Sequence, residues 1–399
     1  MRKLFLTVFV FLYVVACADA EIASRSYFEF VAAFGTAGHN DGQFMYPKAM
    51  AFSPDGKRLA VCDTDNNRIV ILTVASSTTP ASSPIIASSG ANAPAQLTVE
   101  LTMGDIWPFE GSTHPWDPTD AYREPDNADG IVPRRELVGR AYHGGQTRVR
   151  PGDQIPMDRF NNPEGVVWKD EQTLLVADTG NHRIKAVRLD GEVAWVLGQE
   201  GWKNGYFRYP LGIDLDKEGN LYVTEPRSKY IRELGLDFLQ RQRVQGNRMQ
   251  IFDKDLKPSK RLGHMHHMSG VFQKQFKDLT KVYVSPGGEV FLTDTGNHRI
   301  IVFNSDLTPK NVYHQWPYYQ LRYPRGIHAD AKGRLAIADT GNHKVIILSP
   351  DGSIHQILGG YGVESGKFSL PREARFASDG SLFVLDTANC RIQIFREQP

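Results

Sequence analysis

Short, mostly apolar runs separated by one recurring polar turn set the rhythm of this chain. Glu289-Val290-Phe291-Leu292-Thr293 leads into Asp294-Thr295-Gly296-Asn297-His298-Arg299, and Ile300-Ile301-Val302-Phe303 leads out. Asp178 to Ile184 repeats the turn identically, and Asp339 to Val345 differs only at Lys344 and Val345. Asp386 to Ile392 and Asp63 to Ile69 are looser copies. Apolar runs flanking a tight polar turn predict strand, turn, strand, with Gly and Asn supplying the positive-φ positions. The aspartates are expected to cap the turn amides. His182, His298 and His343 fall in equivalent turns of different repeats, so they cannot converge on one metal.

Upstream of each hairpin stands a second signature: an aromatic or Leu, two residues, Pro, a variable residue and usually Gly. Its copies are Phe44 to Ala49, Phe160 to Gly165, Phe207 to Gly212, Leu321 to Gly326 and Phe368 to Glu373, with a degenerate copy from Phe276 to Lys281. A repeat of this length is one unit that cannot bury its apolar face alone. Six such units in tandem predict an all-β ring, closed radially so that only short edges remain. The run Tyr27-Phe28-Glu29-Phe30-Val31-Ala32-Ala33-Phe34 looks like a fourth strand without its first three. The last unit, ending at Ile394-Phe395, lacks a fourth. The predicted solution is that the N-terminal strand completes the last blade.

The paired signatures resemble those of NHL-repeat proteins, and the resemblance covers nearly all of the chain outside the leader and three insertions. It implies a six-bladed β-propeller over residues 27–397 and is nearly silent about activity, because one fold hosts many functions.

Composition and charge narrow the function classes. Net charge is +1 over 399 residues, which gives no bulk reason to expect a nucleic-acid partner. Residues 1–20 read as a secretory signal: Arg2 and Lys3, an apolar run from Leu4 to Val15, then Ala18-Asp19-Ala20. The apolar run is short for a membrane span; Val14-Val15-Ala16-Cys17 also fits a bacterial lipoprotein box. The expected location is therefore extracellular, and the expected state a monomer. Beyond the leader two cysteines remain, Cys62 and Cys390, in units that ring closure makes neighbours. They are read either as a disulfide clasp or as two separately buried thiols.

Three insertions interrupt the rhythm. Residues 75–135 open with a Ser, Thr, Ala and Pro-rich stretch unable to bury much surface. They also hold Trp107, Trp116, Tyr122 and the acidic run Asp117, Asp120, Glu124, Asp126 and Asp129, a calcium candidate without the usual loop spacing. Leu97 to Met103 and Glu136 to Tyr142 compete as outer strand of the first blade. Residues 227–246 alternate at helical spacing and predict a short inserted helix. His264, His266 and His267, in a loop feeding the channel face, are candidate ligands for zinc or copper.

In this topology the variable residue after each Pro stands at the mouth of the central channel. Those six residues are Lys48, Glu164, Leu211, Thr280, Arg325 and Arg372. Three cations and one carboxylate around a low-dielectric funnel focus positive potential. This reads either as an anion-binding mouth or as an internally satisfied network. The resemblance extends distantly to the peptidyl-α-hydroxyglycine amidating lyases, and implies a channel zinc held by histidines directly after Pro. Here no Pro-His pair exists, and Asp214 and Glu164 are too few for a hard-cation cage. The first reading is thus a secreted, non-catalytic module that binds a protein or acidic ligand through Lys48, Glu164, Arg325 and Arg372. The alternative is a metal-dependent lyase or hydrolase.

Overall fold

The structure is a computed structural model, and it describes residues 27–75, 96–104, 159–201, 203–226, 247–263 and 276–398. Six four-stranded antiparallel sheets follow one another around a central axis. In the first, Ala49–Phe52, Arg58–Asp63, Arg68–Ala75 and Gln96–Met103 run from the channel outward. The pairing of Ile69 with Met103 and Ala75 with Gln96 makes Gln96–Met103 the outer strand of blade one. Its sequence competitor, Glu136 to Tyr142, lies outside the described residues, as do the leader, the tryptophan-bearing insertion and the segment 227–246. Among the described residues no helix is long and apolar enough to cross a membrane.

The ring closes as the unpaired half-repeats predict. Tyr27–Phe34 pairs antiparallel with Arg391–Gln398, from Tyr27 opposite Gln398 to Phe34 opposite Ile392. Closure is also side-chain made: Thr387 Oγ1 donates to the Pro47 carbonyl at 2.8 Å, joining blade six to blade one. Apolar clusters fill the wedges between blades. One of them gathers Met50, Leu59 and Val61 of blade one with Leu385, Ile392 and Ile394 of blade six. Burial of this kind, at roughly 25 cal/mol per Å² of apolar surface, is what makes a ring of marginal sheets stable. Cys62 and Cys390 are two free, buried thiols, so no disulfide clasps the closure.

The repeated turn is built differently from the sequence expectation. Thr, Gly and Asn form one 3-10 turn, and the left-handed residue is the one that follows: His182, His298 and His343 at φ 56, 56 and 55°. The glycine serves close approach instead. A Cβ on Gly341 would lie 2.7 Å from the Arg322 carbonyl oxygen, which accepts the Gly341 N–H at 2.8 Å. Nor do the aspartates cap the turn amides. Asp63 accepts the Met45 N–H at 2.6 Å through one oxygen and the Arg68 guanidinium at 2.6 Å through the other. The carboxylate thus ties the aromatic–Pro segment to its own hairpin, an arrangement repeated by Asp178, Glu225, Asp294 and Asp386.

The left-handed residue reaches the next blade. His182 Nδ1 accepts the Tyr209 N–H at 3.1 Å, His298 that of Tyr323 at 3.0 Å and His343 that of Leu370 at 3.1 Å. Asn67 and Asn247 make the same bond with side-chain oxygens, to Asn162 and Asp278. Blade-to-blade latching therefore consumes the turn histidines, and desolvation holds His182 and His298 below the ordinary imidazole range.

Blade five departs from the others in one respect. Lys344 replaces the arginine, and the Tyr319 hydroxyl donates to Asp339 at 2.7 Å. Burial raises the Asp339 pKa from 3.8 to about 6, against the lowering effect of Tyr319, the Arg322 amide, Asn342 and Lys344. A folded pKa above the unfolded one means that the native state holds more protons between those values. Its stability is then greatest below about pH 4 and declines as pH rises through 6. From the rise of 3.8 to about 6, the Asp339→Asn variant is expected to gain about 3 kcal/mol relative to wild type between pH 4 and 7. Urea unfolding of both proteins across that range is the check, and a constant difference would refute it.

Candidate functional site

The first strand of each sheet borders the channel, and the register set by the repeat brings together the five post-proline residues and Thr280, their counterpart in the degenerate fourth copy. One cavity is lined by Lys48, Glu164, Leu211, Thr280, Arg325 and Arg372, with Lys281 and Glu373 joining them. Its volume is about 20 Å³, room for one or two water-sized groups. Of the residues singled out in the sequence, Lys48, Glu164, Arg325 and Arg372 all stand here; His264, His266 and His267 lie outside the described residues. Among the described residues no group of three or more His, Cys, Asp or Glu is placed to hold a metal.

Two ion-pair systems order the lining. Glu164 accepts Lys48 Nζ at 2.9 Å and faces Arg372 at 3.7 Å, and Asp65 stands 4.0 Å from Lys48. Lower down, Lys281 of blade four donates to Glu373 of blade six at 2.9 Å, and the Arg375 guanidinium meets the other Glu373 oxygen at 3.2 Å. Both Lys281 and Glu373 are buried, at 5% and 1% exposure, so this pair forms a floor under the mouth. The corresponding residue of the intervening blade five is Gly326, which lets that inner strand approach the backbone of blade six. A Cβ at that position would lie 2.6 Å from the Arg372 carbonyl oxygen and 2.8 Å from the Glu373 Cα. Desolvation pulls the Lys281 pKa down and Glu373 pulls it up, desolvation being the larger.

Sequence reading missed Lys281 and Glu373, yet a signal was present. In the copies of blades two, three and five, the position after the variable residue is Gly165, Gly212 and Gly326. Only blades four and six place charges there, and the two charges are opposite.

A second tier lies below the floor, three residues beyond the mouth residues Leu211, Thr280, Arg325 and Arg372, and holds Asp214, Tyr283, His328 and Arg375. These side chains serve the inner sheet edges, whose channel-facing amides have no strand partner. Asp214 accepts the Val284 N–H at 2.7 Å and His328 Nδ1 that of Phe376 at 3.3 Å. The Tyr283 hydroxyl bonds the Ala329 backbone. Each such bond joins one blade to the next. Burial raises the Asp214 carboxyl and lifts Tyr283 to about 12, while desolvation with Arg375 and Lys281 keeps His328 neutral.

The lining of the mouth therefore carries four cations and two carboxylates, with Asp65 a third carboxylate 4.0 Å from Lys48, so cations outnumber anions around a small space. Such an arrangement attracts anions and concentrates them at short range.

Comparisons with known proteins agree on architecture. Residues 276–303 match the NHL repeat, at the fourth unit. A comparison with curated protein sequences found no match. Among solved structures, a gluconolactonase from Xanthomonas campestris is 12% identical with a TM-score of 0.51, over 95% of this chain and 93% of that one. An auxiliary nutrient binding protein from Bacteroides thetaiotaomicron is 10% identical with a TM-score of 0.51, over 94% and 78%. An inactive virginiamycin B lyase from Staphylococcus aureus, crystallised with quinupristin, is 10% identical with a TM-score of 0.46, over 94% and 89%. At such identities the likeness extends to the fold.

Proposed function

We propose that this six-bladed β-propeller of NHL repeats is a secreted binding module whose channel mouth takes an anionic group of a protein or small acidic ligand. The observation that carries the reading is the convergence of Lys48, Lys281, Arg325 and Arg372 on one cavity whose lining holds two carboxylates, Glu164 and Glu373, with Asp65 4.0 Å from Lys48. Holding like charges together costs free energy that a bound anion returns, so the ligand both binds and stabilises. The leader of residues 1–20 supports export, and the near-neutral total supports a protein or small-molecule partner over a nucleic acid. The module is read as acting as a monomer.

The test is thermal unfolding in a series of sodium salts at constant ionic strength, with chloride as reference. At least one organic or inorganic anion is expected to raise the midpoint by a few degrees when saturating. Changing Arg325 or Arg372 to Met is expected to remove that rise while leaving the far-UV spectrum intact. A rise that persists in both variants, or none in any salt, would refute the reading.

A further inference from the structure

We infer that the group seated in the mouth is a single planar carboxylate carried end-on by a protein segment, in preference to a tetrahedral phosphate or sulfate. This narrows, and rests on, the anion-binding reading above.

Size is the first argument. The cavity measures about 20 Å³ and is closed beneath by the Lys281–Glu373 bond of 2.9 Å. A space of this size admits one or two oxygen-sized groups, which the two oxygens of a carboxylate match. A phosphate group brings three strong acceptor oxygens, each needing a donor.

The second argument is the shape of the donors. Arg325 and Arg372 occupy the same post-proline position on neighbouring blades, so the register aims two guanidinium groups at one space. A guanidinium is a flat fork whose paired N–H groups match the two oxygens of a carboxylate. A round cluster of ammonium groups would suit a tetrahedral anion equally well, and only Lys48 and Lys281 are of that kind here. Glu164 engages Lys48 at 2.9 Å and Glu373 engages Lys281 at 2.9 Å, both closer than the 3.7 Å between Glu164 and Arg372.

The third argument is the wall facing Arg372 and Lys48 across the ring. It is made by Leu211, 6% exposed, and Thr280, whose hydroxyl bonds the hydroxyls of Thr293 at 2.9 Å and Thr295 at 2.6 Å. That wall suits a methylene stem and adds no donor for a third or fourth oxygen. A carboxylate on a short apolar stem is what an acidic side chain or a chain end of a protein presents. The remainder of such a partner rests outside the cavity on the turn face.

The experiment compares four probes at matched ionic strength: N-acetylglutamic acid α-amide, N-acetylglycine, inorganic phosphate and sulfate, with chloride as reference. Midpoints are measured for wild type, Arg325→Met and Arg325→Lys. The two carboxylates are expected to raise the wild-type midpoint with at least tenfold tighter apparent affinity than phosphate or sulfate. Arg325→Lys, which keeps the charge but not the fork, is expected to erase that preference, so a fold defect in Arg325→Met does not decide the matter. Whichever carboxylate acts more strongly assigns the source, side chain or chain end. If phosphate or sulfate acts as strongly through the same arginine, the carboxylate inference falls and anion binding stands. If a probe acts but not through Arg325, the carboxylate inference falls; if no probe raises the wild-type midpoint, both fall.

Discussion

Glu373→Leu is expected to destabilise the propeller by about 3–5 kcal/mol, the usual effect of removing one partner from a buried charged group. Glu373 is 1% exposed and satisfies two cations, Lys281 at 2.9 Å and Arg375 at 3.2 Å. Without it, the floor of the channel holds positive charges with no carboxylate between them. Adding Lys281→Met should recover most of the loss. The second change removes the stranded ammonium and leaves an apolar chain of similar length, while Arg375 keeps its attraction to Asp214. Urea midpoints of wild type, both single variants and the double variant form a cycle whose coupling measures the pair. A single change worth less than about 1 kcal/mol, or losses that simply add, would show that the floor pair is not a unit.

Removing the closing strand should have a still larger effect. Deletion of Tyr27–Phe34 strips blade six of its outer strand, exposing the edge of Arg391–Gln398 and the apolar ring of Phe395. It also removes Phe28, 2% exposed, which packs on Phe376 at a centroid distance of 5.9 Å and lies under the Arg334 guanidinium. The strand is held sideways too: the Phe28 N–H donates to Gln356 Oε1 at 2.7 Å, and Gln356 Nε2 donates to the Phe28 carbonyl at 3.0 Å. Phe28→Ala alone is expected to cost about 3–5 kcal/mol. The deletion variant should elute as aggregate or as an expanded species, because an open ring presents unpaired strand edges. Supplying the Tyr27–Phe34 peptide in trans should restore a compact monomer. A deletion variant with an unchanged unfolding midpoint would mean that closure at the chain ends does not stabilise the ring.

How far the site was legible depended on whether a residue followed the repeat or broke from it. Lys48, Glu164, Arg325 and Arg372 were readable because each occupies a slot that the repeat defines, after Pro and before the small residue. The turn was misread in detail for the same reason that it was recognised. Gly296 and Asn297 look like positive-φ residues in isolation, but the approach of the Lys277 carbonyl fixes the glycine, and His298 carries the φ of 56°. The aspartates looked like caps because caps are local. Their real partners are an amide 17 positions earlier and an arginine five positions later, as for Asp294 with Lys277 and Arg299.

By itself the sequence determined the number of blades, the strand–turn–strand grammar of each, the joining of the two chain ends and the six residues that face the channel mouth. All of these follow from periodicity, and periodicity is written along the chain. Only the tertiary structure decided which charges meet. Lys281 and Glu373 lie 92 positions apart, in blades four and six, and meet across the ring. Asp214, Tyr283 and His328 are taken up by the amides of neighbouring inner edges. The turn histidines are likewise used by the next blade. Such pairings depend on distances across the ring, which no local pattern encodes, and they determine how the charges at the mouth are paired.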